Sequence, residues 1–116
     1  MTLLVAAVSG ALGAVARYGV SGLVQRWTRS GFPVGTMTVN LTGALALGAL
    51  VGTGRLESTA VLAAAGFLSG FTTFSTWMME TVWLGIGSGS VRAWMNLMLT
   101  LLGGIAVAGI GYSLFN

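Results

Sequence analysis

The chain has no cysteine, no histidine and no lysine, and only one proline. Without cysteine there are no disulfides and no thiol chemistry, and without histidine the usual zinc sites go too. Histidine is also the commonest side chain for relaying protons near neutral pH. Charge is scarce: five arginines and two glutamates make up 6% of the 116 residues, where a soluble domain carries about 25%. A surface so poor in charge does not stay in water, so most of it must face lipid. The arginines are scattered and form no nucleic-acid patch; they read as topology signals.

What is present is apolar, with 55% of residues in the hydrophobic set. A run of about 20 such residues crosses a bilayer as a helix. Four runs fit, at about residues 3–24, 34–53, 60–84 and 92–115. With short turns they use up the length, which predicts a single all-α, four-helix transmembrane domain over residues 1–116. Turn chemistry marks the breaks at Arg26 to Pro33, Gly52 to Ser58 and Gly85 to Ser90. Connections this short make neighbouring helices antiparallel. Residues 1–16 have one feature of a secretory signal, the small-residue run Ala14-Val15-Ala16. No basic residue precedes the apolar stretch, however, so the segment is expected to remain as a helix.

Trp27, Trp83 and Trp94 fall at helix ends on one side of the expected membrane, and Tyr112 and Phe115 on the other. This is the arrangement of an aromatic belt. The 19 glycines are too many for turns alone. Gly10, Gly13 and Arg17 share a face of the first helix. Ala44, Gly48 and Gly52 form a ridge on the second, Gly66 and Gly70 on the third, and Gly104, Ala108 and Gly111 on the fourth. Small residues four apart let membrane helices approach closely, within one chain or between chains.

The most informative stretch is Gly66-Phe67-Leu68-Ser69-Gly70-Phe71-Thr72-Thr73-Phe74-Ser75-Thr76-Trp77, in the middle of the third helix. Glycines and hydroxyls clustered at membrane depth mark a broken helix, whose freed backbone groups need protein, water or an ion. Carbonyls exposed at such a break are hard ligands suited to a small cation. Asn40 lies within the second helix, flanked by Thr38 and Thr42. An amide at that depth either ties helices together or lines a polar path, and its donors suit an anion. Asn96 and Thr100 are one turn apart on the fourth helix. Arg17 and Glu80 are ionisable groups near membrane depth, either functional or reaching back to the interface. No paired carboxylate, activated nucleophile or phosphate loop is present, so an enzyme is not expected.

These motifs carry a resemblance over essentially the whole chain. Gly10 to Tyr18, Gly35 to Gly43, and Gly66 to Thr76 resemble, in order and spacing, the signatures of the first three helices of the Fluc/CrcB fluoride channel family. The resemblance implies an antiparallel, dual-topology dimer of four-helix subunits with two fluoride pores along the subunit interface. It implies a structural sodium ion held by backbone carbonyls at the break, matched here by Ser69 and Thr72. It implies pore residues at Asn40, Phe74, Ser75, Thr76, Trp77, Asn96 and Thr100. The implied activity is passive fluoride export across the plasma membrane of a bacterium or archaeon.

The chain departs from the family's pattern at three of these positions. Ser69 stands where glycine is usual, which a backbone ligand tolerates. Trp77 replaces a phenylalanine, and Asn96 a frequent tyrosine. Arg26, Arg29 and Arg92 fall on one side of the expected membrane and Arg55 on the other. That bias leaves a fixed-orientation heterodimer subunit open beside the homodimer. A small multidrug-resistance-type transporter has a similar architecture but needs a glutamate within the first helix, and none is there. A non-transporting scaffold would explain the glycine ridges but not Asn40 or the polar stretch.

Overall fold

The computed structural model describes residues 1–55 and 57–116; Leu56, in the loop expected between the second and third spans, lies outside them. The described residues form α1 (Thr2–Thr28), α2 (Val34–Thr53), α3 (Thr59–Phe71), α4 (Phe74–Gly87) and α5 (Ser90–Phe115). By length and composition they supply four membrane spans: α1, α2, the stretch Thr59–Gly87 made of α3 and α4, and α5. The molecule measures 45 Å along its longest axis, close to the full thickness of a bilayer with its headgroups, about 40–45 Å.

The helices run further than the turn chemistry suggests. α1 continues through Arg26, which sits in its last turn, where a cation faces the negative end of the helix dipole. It stops at Arg29, which adopts the left-handed conformation at φ 49°. α2 keeps its expected bounds, with Gly52 inside it, whereas Gly85 to Gly87 carry α4 past the expected end at residue 84. Glycine is a weak helix breaker where no water competes for the backbone, because the only partners for its N–H and C=O are helical ones.

Gln25 shapes the turn after α1. Its Nε2 donates to the carbonyls of Ser30 and Phe32, both at 2.9 Å, and its Oε1 accepts from the Gly35 N–H at 2.9 Å. Across the same end of the molecule, the Arg92 guanidinium lies 5.7 Å from the Phe32 ring centroid. This contact joins the turn after α1 to the start of α5. The exposed side chains of Trp27, Trp83 and Trp94 belong to that half of the molecule.

Packing explains where the glycines went. α1 lies along α3, and α2 along α5. Within each pair, contact positions increase together: Gly66 meets Ala6 and Gly70 meets Gly10 and Ala14, while Gly48 meets Ala108 and Gly52 meets Tyr112. The paired helices are therefore parallel, as alternate spans of an up-and-down chain must be. A Cβ on Gly13, Gly70, Gly48 or Gly111 would run into the backbone of the facing helix. These are the sequence's small-residue ridges, and here they bring main chains into contact.

The interior is correspondingly unlike that of a soluble protein. Among the described residues the buried side chains include Thr36, Thr73, Asn96 and Thr100 beside the apolar Val39, Phe71 and Leu84. Leucine, isoleucine and valine fill the outer surface. Lipid already solvates apolar side chains, so burying them gains little, and close backbone packing and polar contacts hold the helices together instead.

Candidate functional site: a groove at a helix junction

α3 ends at Phe71 and α4 begins at Phe74. Between them Thr72 (φ −89°, ψ 159°) and Thr73 (φ −148°, ψ 124°) are extended. The local chemistry favours this. The last helical bond runs from the Thr72 N–H to the Leu68 carbonyl at 3.0 Å. Thr73 then caps the next helix, its Oγ1 accepting from the Thr76 N–H at 3.3 Å, a role for which threonine is suited. Gly43 on α2 leaves room for the Thr72 methyl group, which a Cβ there would strike.

Asn40 grips the junction from α2. Its Nδ2 donates to the Thr73 carbonyl at 3.0 Å, and its Oδ1 accepts from the Thr73 N–H at 2.8 Å. The two bonds satisfy both main-chain groups of one extended residue at a depth where no water need be present. They also have a consequence for the neighbouring carbonyls. In a continuous helix the Thr73 N–H would bond to Ser69 and the Thr76 N–H to Thr72. Here those two N–H groups are directed to Asn40 and to the Thr73 hydroxyl. The carbonyls of Ser69 and Thr72 thus lose their helical donors, which fits them to serve as hard oxygen ligands for a small cation. Among the described residues no group of three or more His, Cys, Asp or Glu side chains is gathered so as to hold a metal ion.

The junction opens onto a groove of about 450 Å³ between α2, α3, α4 and α5. Asn40, Ser69, Thr72, Thr73, Phe74, Trp77 and Thr100 line it, with Leu47, Leu68, Leu101 and Ile105 as apolar wall and Gly43, Ala44, Gly104 and Ala108 as floor. Phe74 and Trp77 meet edge to face, with ring centroids 5.9 Å apart and planes at 82°. Phe74 is 70% exposed. The Thr100 Oγ1 is buried and has no hydrogen-bond partner.

Six residues singled out in the sequence therefore share one groove: Asn40, Ser69, Thr72, Phe74, Trp77 and Thr100. Ser75 and Thr76 lie exposed in the first turn of α4, outside its lining. Asn96 is also outside the lining, 1% exposed behind Trp77. Arg17 is partly exposed on α1. Glu80 lines a second cavity of about 260 Å³ with Gln25, Phe32, Pro33 and Trp83, and its Oε1 is buried without a partner. Sequence reading missed Gln25, and also Thr81, whose hydroxyl donates to the Trp77 carbonyl and accepts from Asn96 Nδ2. A polar residue near a span end looks like an ordinary interfacial one, and only the fold shows that Gln25 bonds three main-chain groups.

Fold and site together define a polytopic helical membrane protein with a largely apolar groove that gathers a few amide, hydroxyl and aromatic groups at an interrupted span. Residues 4–112 match the family described as CrcB-like protein, Camphor Resistance (CrcB). The chain is 43% identical over 102 residues to the Fluoride-specific ion channel FluC 2 of Mycobacterium bovis, covering 88% of this chain and 81% of that protein. It is 40% identical to the Fluoride-specific ion channel FluC of Syntrophotalea carbinolica, covering 96% and 94%. It is also 40% identical to the Fluoride-specific ion channel FluC 1 of Geobacillus kaustophilus, covering 91% and 90%. The chain belongs to the CrcB-like family.

Proposed function

We propose that this chain is a fluoride-selective ion channel, not an enzyme, which exports fluoride passively and so lowers its toxicity in the cytoplasm. The observation that carries the reading is the junction itself: a family member whose amide, hydroxyl and aromatic groups meet in one groove at membrane depth. Fluoride is small and strongly hydrated, and it enters a membrane only where donors replace its water. The second Nδ2 hydrogen of Asn40 and the unpartnered Thr100 hydroxyl are such donors. Ring edges at Phe74 and Trp77 add positive potential. Ser75, Thr76 and Asn96 belong to the same proposed path through their neighbours.

The groove is open on one side, and in this reading a second, antiparallel copy covers it, giving a dual-topology dimer in the plasma membrane. A sodium ion at the carbonyls of Ser69 and Thr72 would hold the two interrupted spans together. As a fixed cation it would also raise the local positive potential. Arg17, on α1, and Glu80, in the second cavity, lie outside the groove and have no assigned part in the path.

The test is fluoride efflux from liposomes containing only the purified protein, with chloride efflux and an Asn40→Asp variant in parallel. Rapid fluoride release without chloride release, lost in the variant, is the expected result. Well-folded protein that releases no fluoride would sink the self-sufficient channel. The arginine placement favours a second reading, a fixed-orientation subunit of a heterodimer. In that case all copies share one orientation, and the protein conducts only with its partner.

A further inference from the structure

Trp77 is bonded, once through its indole and once through its main chain, to residues that do not line the groove. Its indole N–H donates to the Asn96 main-chain carbonyl at 3.3 Å. Its own carbonyl accepts from the Thr81 hydroxyl at 2.8 Å. The circuit closes because Asn96 Nδ2 donates to the same Thr81 oxygen at 2.9 Å. Two of the three family departures noted in the sequence, Trp77 and Asn96, are thus partners of each other. The circuit locks α4 to α5 behind the ring, and the ring is what the groove presents.

Orientation matters for an aromatic ring beside an anion path. The ring edge carries positive potential and the face negative, so turning the ring exchanges attraction for repulsion. A phenyl ring has no N–H to anchor, whereas the indole of Trp77 has one and spends it on α5. We infer that Thr81 and Asn96 are positioning residues for anion discrimination, acting through Trp77 by fixing which part of the indole meets the anion. The inference rests on the reading of the groove as the fluoride path.

The experiment compares fluoride and chloride efflux from liposomes for the parent, Thr81→Val, Thr81→Ser, Asn96→Leu, Trp77→Phe and the double variant Trp77→Phe/Thr81→Val. Monodisperse elution in detergent and unchanged helical circular dichroism serve as fold controls. Thr81→Val and Asn96→Leu should each lower the fluoride-to-chloride ratio by about tenfold, and Thr81→Ser, which keeps the hydroxyl, should restore it. In the Trp77→Phe background, Thr81→Val should change the ratio by less than about twofold, because the anchor is already gone. A ratio unchanged by Thr81→Val, or changed equally in both backgrounds, overturns the positioning role and leaves the channel reading intact. A parent that conducts no fluoride by itself overturns the self-sufficient channel reading, and this inference with it.

Discussion

Asn40 spends both ends of its amide on Thr73, a residue 33 positions away in sequence. Replacing it with leucine strands a main-chain N–H and a carbonyl in the bundle, each at a cost of about 1–3 kcal/mol. Asn40→Leu should therefore lower the thermal unfolding midpoint in detergent, followed by circular dichroism, as well as abolish fluoride flux. Thr100 gives the opposite pattern. Its hydroxyl is buried and bonds to nothing in the protein, so Thr100→Val relieves an unsatisfied group and should leave the midpoint unchanged or raised. If that hydroxyl meets fluoride, flux should nonetheless fall by about tenfold, the worth of one hydrogen bond to a charged group. A Thr100→Val protein that conducts like the parent removes Thr100 from the path. Both residues stood out in the sequence as polar groups at membrane depth. Their roles did not, because an amide that ties helices and one that lines a path look alike until the partner is known. The fold shows that Asn40 does the first, and places it in the groove where it can do the second.

Among the elements, the paired helices divide the glycines into two kinds. Gly48 faces the Ala108 backbone so closely that a Cβ has no room, whereas Gly22 on α1 has nothing within 4 Å. Gly48→Val should force α2 and α5 apart. The loss should exceed the ~1–3 kcal/mol typical of overpacking, since main chain and not a side chain must yield. Gly22→Ala should be neutral or slightly stabilising, because alanine is the better helix former by up to ~1 kcal/mol. Unfolding midpoints of the two variants check the contrast, and equal losses would mean that the ridges do not carry the packing. The four spans were legible because lipid demands long apolar helices, and the ridges because small residues recur at helical spacing. Which ridge meets which was not legible: nothing local states that Gly70 faces Gly10 while Gly48 faces Ala108. Span ends were also misjudged at Arg26 to Thr28 and Gly85 to Gly87, where residues that punctuate soluble chains continue as helix in this one.

For the whole molecule, orientation in the membrane turns on very few charges. Cytoplasmic loops collect arginine, and orientation follows the bias between the two sides. The end formed by the turn after α1 and the start of α5 holds Arg26, Arg29 and Arg92, and the other end holds Arg55. An antiparallel pair built from one kind of chain needs both orientations in comparable amounts. With three arginines against one, insertion is close enough to balance that single substitutions should move it. A C-terminal tag probed from each side of the membrane reads the populations directly. For a dual-topology homodimer, the parent should show both orientations. Removing two charges from the richer end, as Arg26→Gln/Arg29→Gln, should then shift the ratio by severalfold, with flux highest nearest equality. For a fixed-orientation subunit, the tag is found on one side in the parent. The same double variant should then create a second population and, with it, fluoride flux that the parent lacks when expressed alone. A tag confined to one side in a parent that conducts fluoride by itself would contradict both arrangements, and would mean that the groove works without an inverted copy against it.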